Sequence, residues 1–433
     1  MSDLLATLNE YVWSKGLIYL CLGVGIFFSI RSRLVQVRQI PAMLGQLKKG
    51  ESSDSGVSSF QALAMSLAGR VGTGNIAGVA TAIAFGGPGA VLWMWLVAFF
   101  GASTSFVECT LGQIYKERDR LTGEYRGGPA YYFSRAFAHT RYALAGRIYG
   151  LIFAAVTVTA CGLLMPMVQS NSMAAAMENA WSIEPWIAAV AIVIVLAFVI
   201  IGGVKRIAIF AAIVVPFMAV LYILAALVIM AVNVTVVPEV FRLIFASAFN
   251  LESGVGAALG LAIEWGVKRG IYSNEAGQGT GPHAAAAAEV SHPAKQGLAQ
   301  AFAVYVDTLL VCSATAFLIL STGAYKVFDG GSASGRVLKD GGALEGDPSV
   351  GPAYAQQGFD TVFQGGGASF IAISLAFFCF TTIVAYYYMA EVNLTYLNRW
   401  IPNRTARRAL VRALQGLILV AVVYGSVTTT GNA

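Results

Sequence analysis

Long apolar runs separated by short polar segments recur along the whole sequence. Read for length, they give ten candidate membrane spans: 16–31, 58–84, 88–114, 148–178, 184–202, 207–232, about 242–275, 297–322, 366–396 and 409–427. A helix needs about 20 mainly apolar residues to cross a bilayer, and most of these runs reach that length. Two of them are interrupted by polar residues. The first holds "RVGTGN" at 70–75, about twelve residues after Ser58, and the second holds "RGIYSNEAG" at 269–277. Backbone polar groups find no water in the bilayer core, so irregular chain survives there only where it lines a cavity. The two stretches share the string R-x4-N-x-A-G. Arg70 matches Arg269, Asn75 matches Asn274, and Ala77-Gly78 matches Ala276-Gly277, 199 residues apart. Paired interruptions in two oppositely oriented halves point to an inverted-repeat transporter site. Two blander readings stand beside this one: a close helix-packing face for the first stretch, and a cytoplasmic loop for the second.

Composition supports the membrane reading. The 433 residues are 57% hydrophobic and 12% charged, with mean hydropathy +0.69. A soluble domain carries about twice that charged fraction. An all-α polytopic membrane protein is expected, without a separately folding soluble domain. The run from Gly16 to Ile30 has no small-residue cleavage site behind it and is read as a retained span. The cysteines, Cys21, Cys109, Cys161, Cys312 and Cys379, are scattered singly, which argues against a disulfide framework or a zinc site. His139, His283 and His292 form no catalytic cluster, so an enzyme is not expected. "GTGNIAG" resembles a phosphate loop but lacks the Lys-Ser/Thr ending and a preceding strand.

Charge sets the orientation, because basic residues collect in cytoplasmic loops. The 31–50 loop holds Arg31, Arg33, Arg38, Lys48 and Lys49. The 115–147 loop holds seven basic residues against three acids. Lys205 and Arg206 fill the 203–206 turn, and 397–412 holds five arginines and no acid. The 323–365 loop reverses this, with three basic residues against five acids. The N-terminus and 323–365 are therefore expected outside and 31–50 inside, in a plasma (inner) membrane. The net charge of +6 lies between spans and is no sign of nucleic-acid binding.

Three segments carry a family resemblance. "GRVGTGNIAGVATAIAFGGPGAVLWMW", "EWGVKRGIYSNEAGQGTGPHAAAA" and "FTTIVAYYYMAE" resemble the signature segments of the alanine or glycine:cation symporter family, over about residues 16 to 427. The resemblance implies the leucine-transporter-type fold: an inverted 5+5 repeat preceded by one extra helix. It divides the chain into an extra helix and loop (1–50), a first five-helix repeat (51–235) and an incomplete second repeat (236–433). The last core helix of the family pattern is expected to be absent. The implied function is sodium-coupled symport of alanine or glycine by alternating access, with sodium as the coupling ion and no cofactor. A lipid-embedded monomer is expected. Proton coupling and a channel are the alternatives within transport. A second departure from the family is Tyr386, where a Trp is usual.

A zwitterion in a dry site needs donors for its carboxylate and acceptors for its ammonium, and a broken helix offers both. Gly72, Thr73 and Gly74 fit the carboxylate role, with Asn75 donating, accepting or pinning the break. Tyr272, Ser273 and Asn274 are expected in the second break, facing the ammonium. The resemblance adds Gln169, Thr382 and Tyr386 to the pocket. For sodium it implies carbonyls of Ala68, Val71 and Phe378 with the hydroxyls of Thr381 and Thr382, although such hydroxyls also bond back to their own helix. Asn171 and Ser172 are read as structural. Arg70 and Arg269 are expected either to pair with Glu264, Glu275 or Asp307 or to gate one side. Glu108 and Glu391 are read as further salt-bridge candidates.

Overall fold

The computed structural model describes residues 15–48, 56–119, 122–249, 259–346 and 348–428. The first 14 residues and the last five, which bear on the expected outward termini, lie outside these. The first half runs α1 (Lys15–Arg31), α2 (Ile40–Lys48), α3 (Ser59–Arg70), α4 (Val79–Gly86), α5 (Ala90–Ile114), α6 (Pro129–Ala136), α7 (Ala143–Thr159), α8 (Met165–Trp181), α9 (Pro185–Ile200), α10 (Gly203–Val232) and α11 (Val237–Ala248). The second runs α12 (Leu259–Asn274), α13 (Gly281–Ala287), α14 (Pro293–Val304), α15 (Ser313–Thr322), α16 (Pro352–Asp360), α17 (Gly367–Leu397) and α18 (Arg404–Val427). Two short antiparallel hairpins lie between helices: β1 (Glu117–Arg118) with β2 (Tyr125–Arg126), and β3 (Lys326–Phe328) with β4 (Val337–Asp340).

Six helical stretches among the described residues are long and apolar enough to cross a membrane: Ala90–Ile114, Ala143–Trp181, Gly203–Val232, Pro293–Thr322, Gly367–Trp400 and Arg404–Val427. Gly16–Arg31, Gly74–Gly86 and Pro185–Ile200 are apolar but shorter. The expected span at about 242–275 is not one helix. Residues 242–248 end the separate helix α11, which opens on Pro238, buries Val240, Leu243 and Ile244, and exposes an Arg242–Glu239 ion pair. That two-faced pattern suits a surface helix, not a buried span.

At the centre lies α17. Every residue from Phe378 to Asn393 is buried, so this helix is enclosed on all sides. It packs against α3, α7, α8 and α10. On the outside, α9 and α10 expose Ile194, Phe198, Ile213, Phe217 and Leu224, an apolar surface suited to lipid. Three stretches are wound more loosely, as π turns: Gly74–Gly78, Ala160–Leu164 and Tyr305–Cys312. Such turns are rare and concentrate at functional positions. The two interrupted helices are joined at one end. Val57 and Ala288 form a parallel β-bridge, with Val57 N donating to Ala287 O at 3.1 Å and Glu289 N to Val57 O at 3.2 Å.

Candidate functional site

The first break begins where α3 stops. Ser58 starts that helix with a capping box: Gln61 N donates to its hydroxyl at 3.1 Å, and Ser58 N donates to Gln61 Oε1 at 2.9 Å. After Arg70 the chain leaves the helix at Val71 (φ −80°, ψ 91°) and re-enters through the π turn at Gly74. Carbonyls at the end of α3 thereby lose their helical donors. Two of them, Ala68 O and Val71 O, lie 2.8 and 3.2 Å from the Thr382 hydroxyl on α17, and Phe378 O lies 2.9 Å from it. One hydroxyl has a single proton, so three carbonyls converge on a donor that can serve only one. The Thr381 hydroxyl donates back to Phe378 O at 2.9 Å, the local bond expected of a helix-interior Thr. The five residues named for sodium thus bring uncharged carbonyl and hydroxyl oxygens together, a donor type suited to a hard cation, with the Met218 sulfur 3.9 Å from the Thr381 hydroxyl.

Beside it lies the glycine turn. Gly72 N donates to Asn75 Oδ1 at 2.8 Å, and Thr73 N donates to Gln169 Oε1 at 3.0 Å. The Thr73 hydroxyl donates to Ser172 Oγ at 2.8 Å, so Ser172 reaches the break although its neighbour Asn171 ties α8 to the end of α18. A Cβ on Gly72 would lie 2.6 Å from Thr382 Oγ1 and 2.9 Å from Gln169 Oε1. Gly74 passes under the Tyr272 ring, 3.1 Å from where its Cβ would stand. The Tyr272 hydroxyl is buried and has no partner among the described residues. Tyr386, 2% exposed, lies one turn beyond Thr382 and meets Glu275.

The second break lies later than the sequence suggested. Helix α12 continues through Tyr272, Ser273 and Asn274, and the irregular chain is 275–280. Glu275, Gly277 and Gly279 take φ of 55°, 86° and 80°. The glycines, not the Tyr-Ser-Asn run, supply the left-handed backbone. Tyr272, Ser273 and Asn274 instead form the last turn of α12, whose carbonyls lie past the end of its ladder. The side chains of Ser273 and Asn274 turn to the π segment Tyr305–Cys312. Ser273 Oγ donates to Asp307 Oδ2 at 2.8 Å, and Asn274 Nδ2 to Thr308 Oγ1 at 3.3 Å.

Asp307 is the residue sequence reasoning underused, naming it only as a possible arginine partner. It is fully buried, accepting from Asn75 Nδ2 at 2.6 Å on Oδ1 and from Ser273 and Thr308 at 2.8 Å on Oδ2. A lone acid inside the apolar run 297–322 was the available signal. Asn75 therefore bridges Gly72 and Asp307.

The expected arginine pairs are not formed. Arg70 donates to Gln300 O at 3.0 Å and Ser105 Oγ at 3.2 Å, and makes no ion pair among the described residues. Arg269 stacks over Trp265, 5.2 Å from the ring centroid, and Glu264 pairs with Lys268 at 2.6 Å. Neutral acceptors and a ring suffice to seat these guanidiniums, whose charge is delocalised and weakly hydrated. Glu108 accepts from Gly277 N and Gly279 N at 3.2 and 3.1 Å, and so anchors the second break to α5. Glu391 takes Arg126 at 2.7 Å.

Residues 1–432 match the model of the sodium:alanine symporter family. The relative YrbD of Bacillus subtilis, whose name assigns it provisionally to sodium/proton-dependent alanine carriers, is 54% identical over the whole chain and 86% of its own length. A sodium/proton-dependent alanine carrier of Bacillus sp. strain PS3 is 48% identical over 90% of this chain and 84% of its own. The sodium/alanine symporter AgcS of Methanococcus maripaludis is 40% identical over 91% of this chain and 83% of its own. Among solved structures, a mutant manganese transporter of Eremococcus coleocola shares the fold at TM-score 0.51 and 13% identity, covering 84% of this chain and 75% of that one.

Proposed function

This chain belongs to the sodium:alanine symporter family, and from that premise and the site geometry we propose that it is a multi-pass membrane transporter coupling alanine or glycine uptake to sodium. The observation that carries the reading is the convergence of Ala68 O, Val71 O and Phe378 O on the Thr382 hydroxyl, next to the glycine turn. Sodium is the co-transported ion, held by these carbonyls with the Thr381 and Thr382 hydroxyls. The amino-acid carboxylate takes the N–H groups of Gly72, Thr73 and Gly74. Asn75 and Gln169, which cap Gly72 and Thr73 in the structure, yield or share these donors. The ammonium takes the terminal carbonyls of Tyr272, Ser273 and Asn274. Tyr272 and Tyr386 limit the space for a side chain, which favours alanine or glycine.

Coupling follows from one peptide unit. The Val71–Gly72 peptide presents its C=O to the ion and its N–H to the carboxylate. A cation on the oxygen polarises the unit and strengthens its N–H as a donor. Sodium and substrate therefore favour each other, and by reciprocity to the same extent. The inverted 5+5 layout is part of this proposal: the R-x4-N-x-A-G echo and the shared bridge at Val57 and Ala288 support it. So are a monomer as the working unit and an inner-membrane position with the N-terminus outside.

A second reading, proton coupling, rests on Asp307. A proton there would change its bond to Asn75 and, through Asn75, the cap on Gly72. Uptake of labelled alanine into proteoliposomes, with sodium replaced by choline at fixed pH, separates the two. Sodium coupling predicts that uptake collapses; undiminished uptake transfers the role to the proton.

A further inference from the structure

A cavity of about 300 Å³ lies apart from the residues assigned to transport. Its walls come from the β1–β2 hairpin, the end of α17 and the start of α18, and Arg118, Asp119, Arg126, Tyr396, Arg399 and Arg407 face it. In the proposed orientation this is the cytoplasmic side. Arg126 is only 2% exposed. Its Nη2 donates to Glu124 at 2.9 Å and Glu391 at 2.7 Å, while Nε and Nη1 have no partner among the described residues. Buried N–H groups left without an acceptor are uncommon and costly, and this guanidinium, in the cavity wall, keeps positive charge beside the opening.

The other arginines are held in place by rings or partners. The Arg399 guanidinium lies 4.0 Å from the Tyr396 ring centroid and 4.4 Å from that of Trp400. Arg118 lies 5.2 Å from the Tyr125 ring and uses Nη2 on the Tyr125 hydroxyl at 3.4 Å, which leaves its other N–H groups. Neither forms an ion pair among the described residues. The acids at the cavity are already paired: Asp119 takes Arg407 within the wall at 3.3 Å, and Glu117 takes Arg135 at 3.6 Å. Stacking leaves the edge of a guanidinium free, and that edge matches oxyanions. A carboxylate offers two oxygens in one plane. A phosphate offers three or four in a tetrahedron, which suits donors arriving from separate walls.

We propose that this cavity is a phosphate-recognition site, with the buried Arg126 guanidinium in its wall supplying charge and Arg118 and Arg399 donating at its mouth. The phosphate is either free or the headgroup of an anionic lipid; Trp400, 58% exposed, lies at the rim where both have access. Occupancy ties three chain segments together and so raises resistance to unfolding.

The test reads binding, not uptake, so its failure and failure of the transport reading are distinguishable. Purified, delipidated full-length protein is melted in nonionic detergent with increasing inorganic phosphate, against chloride at matched ionic strength. A second arm compares nanodiscs of phosphatidylcholine with nanodiscs containing phosphatidylglycerol. Both arms are repeated with an Arg118→Gln/Arg399→Gln double variant, which leaves the buried Arg126 contacts intact. A saturable rise of about 2–4 °C with phosphate, lost in the variant, supports free phosphate. A rise confined to phosphatidylglycerol, likewise lost in the variant, supports the lipid headgroup. No rise in either arm, or equal rises in the variant, overturns the proposal.

Discussion

At the scale of single residues, Gly72 and Thr382 divide the work of the proposed site. Gly72 leaves room for three things at once: the Thr382 hydroxyl, the Gln169 amide and a turn whose N–H groups face inward. Gly72→Ala places a methyl 2.6 Å from Thr382 Oγ1. Forcing a methyl into a packed site costs about 1–3 kcal/mol, which corresponds to roughly tenfold weaker alanine binding. Equilibrium binding of labelled alanine to purified protein checks this, with unchanged folding verified by melting. Thr382→Val removes the one hydroxyl on which three carbonyls converge, whereas Thr382→Ser keeps it. Since a hydrogen bond or ligand contact to a charge is worth about 1.5–3 kcal/mol, the Val variant should need at least roughly tenfold more sodium for half-maximal uptake. The Ser variant should stay near the parent; equal sodium curves for all three would remove Thr382 from the ion site. The glycine turn drew notice in the sequence because polar and glycine residues inside an apolar run stand out, whereas Gln169 and the threonine pair entered through the family resemblance. Asp307 stood out in the same way, but its partners Asn75 and Ser273 lie 232 and 34 residues away in the chain, and no spacing rule brings them together.

At the scale of elements, the second break shows how far local pattern reaches. The echo with the first break located the region, yet helix α12 runs on to Asn274 and the break begins at Glu275. The polar triplet Tyr272-Ser273-Asn274 looked like a helix breaker, but Ser273 and Asn274 bond to the π turn that holds Asp307, and the triplet stays helical. Gly277 and Gly279, both with positive φ, carry the irregular chain instead. Their N–H groups are held by a carboxylate from another helix, Glu108. Glu108→Ala leaves both donors in a buried region without an acceptor, at about 1–3 kcal/mol each. A lower melting temperature is therefore expected, with Glu108→Gln falling between the variant and the parent because one amide oxygen remains. Melting with and without alanine makes the comparison, and equal midpoints for all three proteins would deny Glu108 its anchoring role. The expected helix at about 242–275 failed for a related reason. Its first turns carry a two-faced pattern that a simple count of apolar residues does not separate from a span.

At the scale of the molecule, the helical membrane character was plain from the apolar runs, and the orientation rests on where the arginines fall. Cysteine labelling tests that orientation directly, since four of the five native cysteines are buried and Cys21 is only partly exposed. Ser334→Cys, in the loop between β3 and β4, should react with a membrane-impermeant maleimide on intact cells. Arg408→Cys, on α18, should react only after the membrane is permeabilised. The reverse pattern would invert the topology. What the sequence did not disclose at this scale is how its two halves are joined. Val57 and Ala288 lie 231 residues apart, and their bridge has no sequence signature because it uses backbone groups alone.

That bridge has a mechanical meaning. It fastens the start of one broken helix to the end of the other, and Gln113 and Lys116 of the adjoining helix and turn donate to Ala288 O, at 2.9 and 2.5 Å, on the same side. The two half-helices on this side therefore share a fulcrum. Swinging motion is left to the pliant joints at Val71–Gly72 and 275–280, which border the proposed ion and amino-acid sites. If the cargo binds where proposed, it occupies the hinges of this lever, and loading stiffens the parts that must bend.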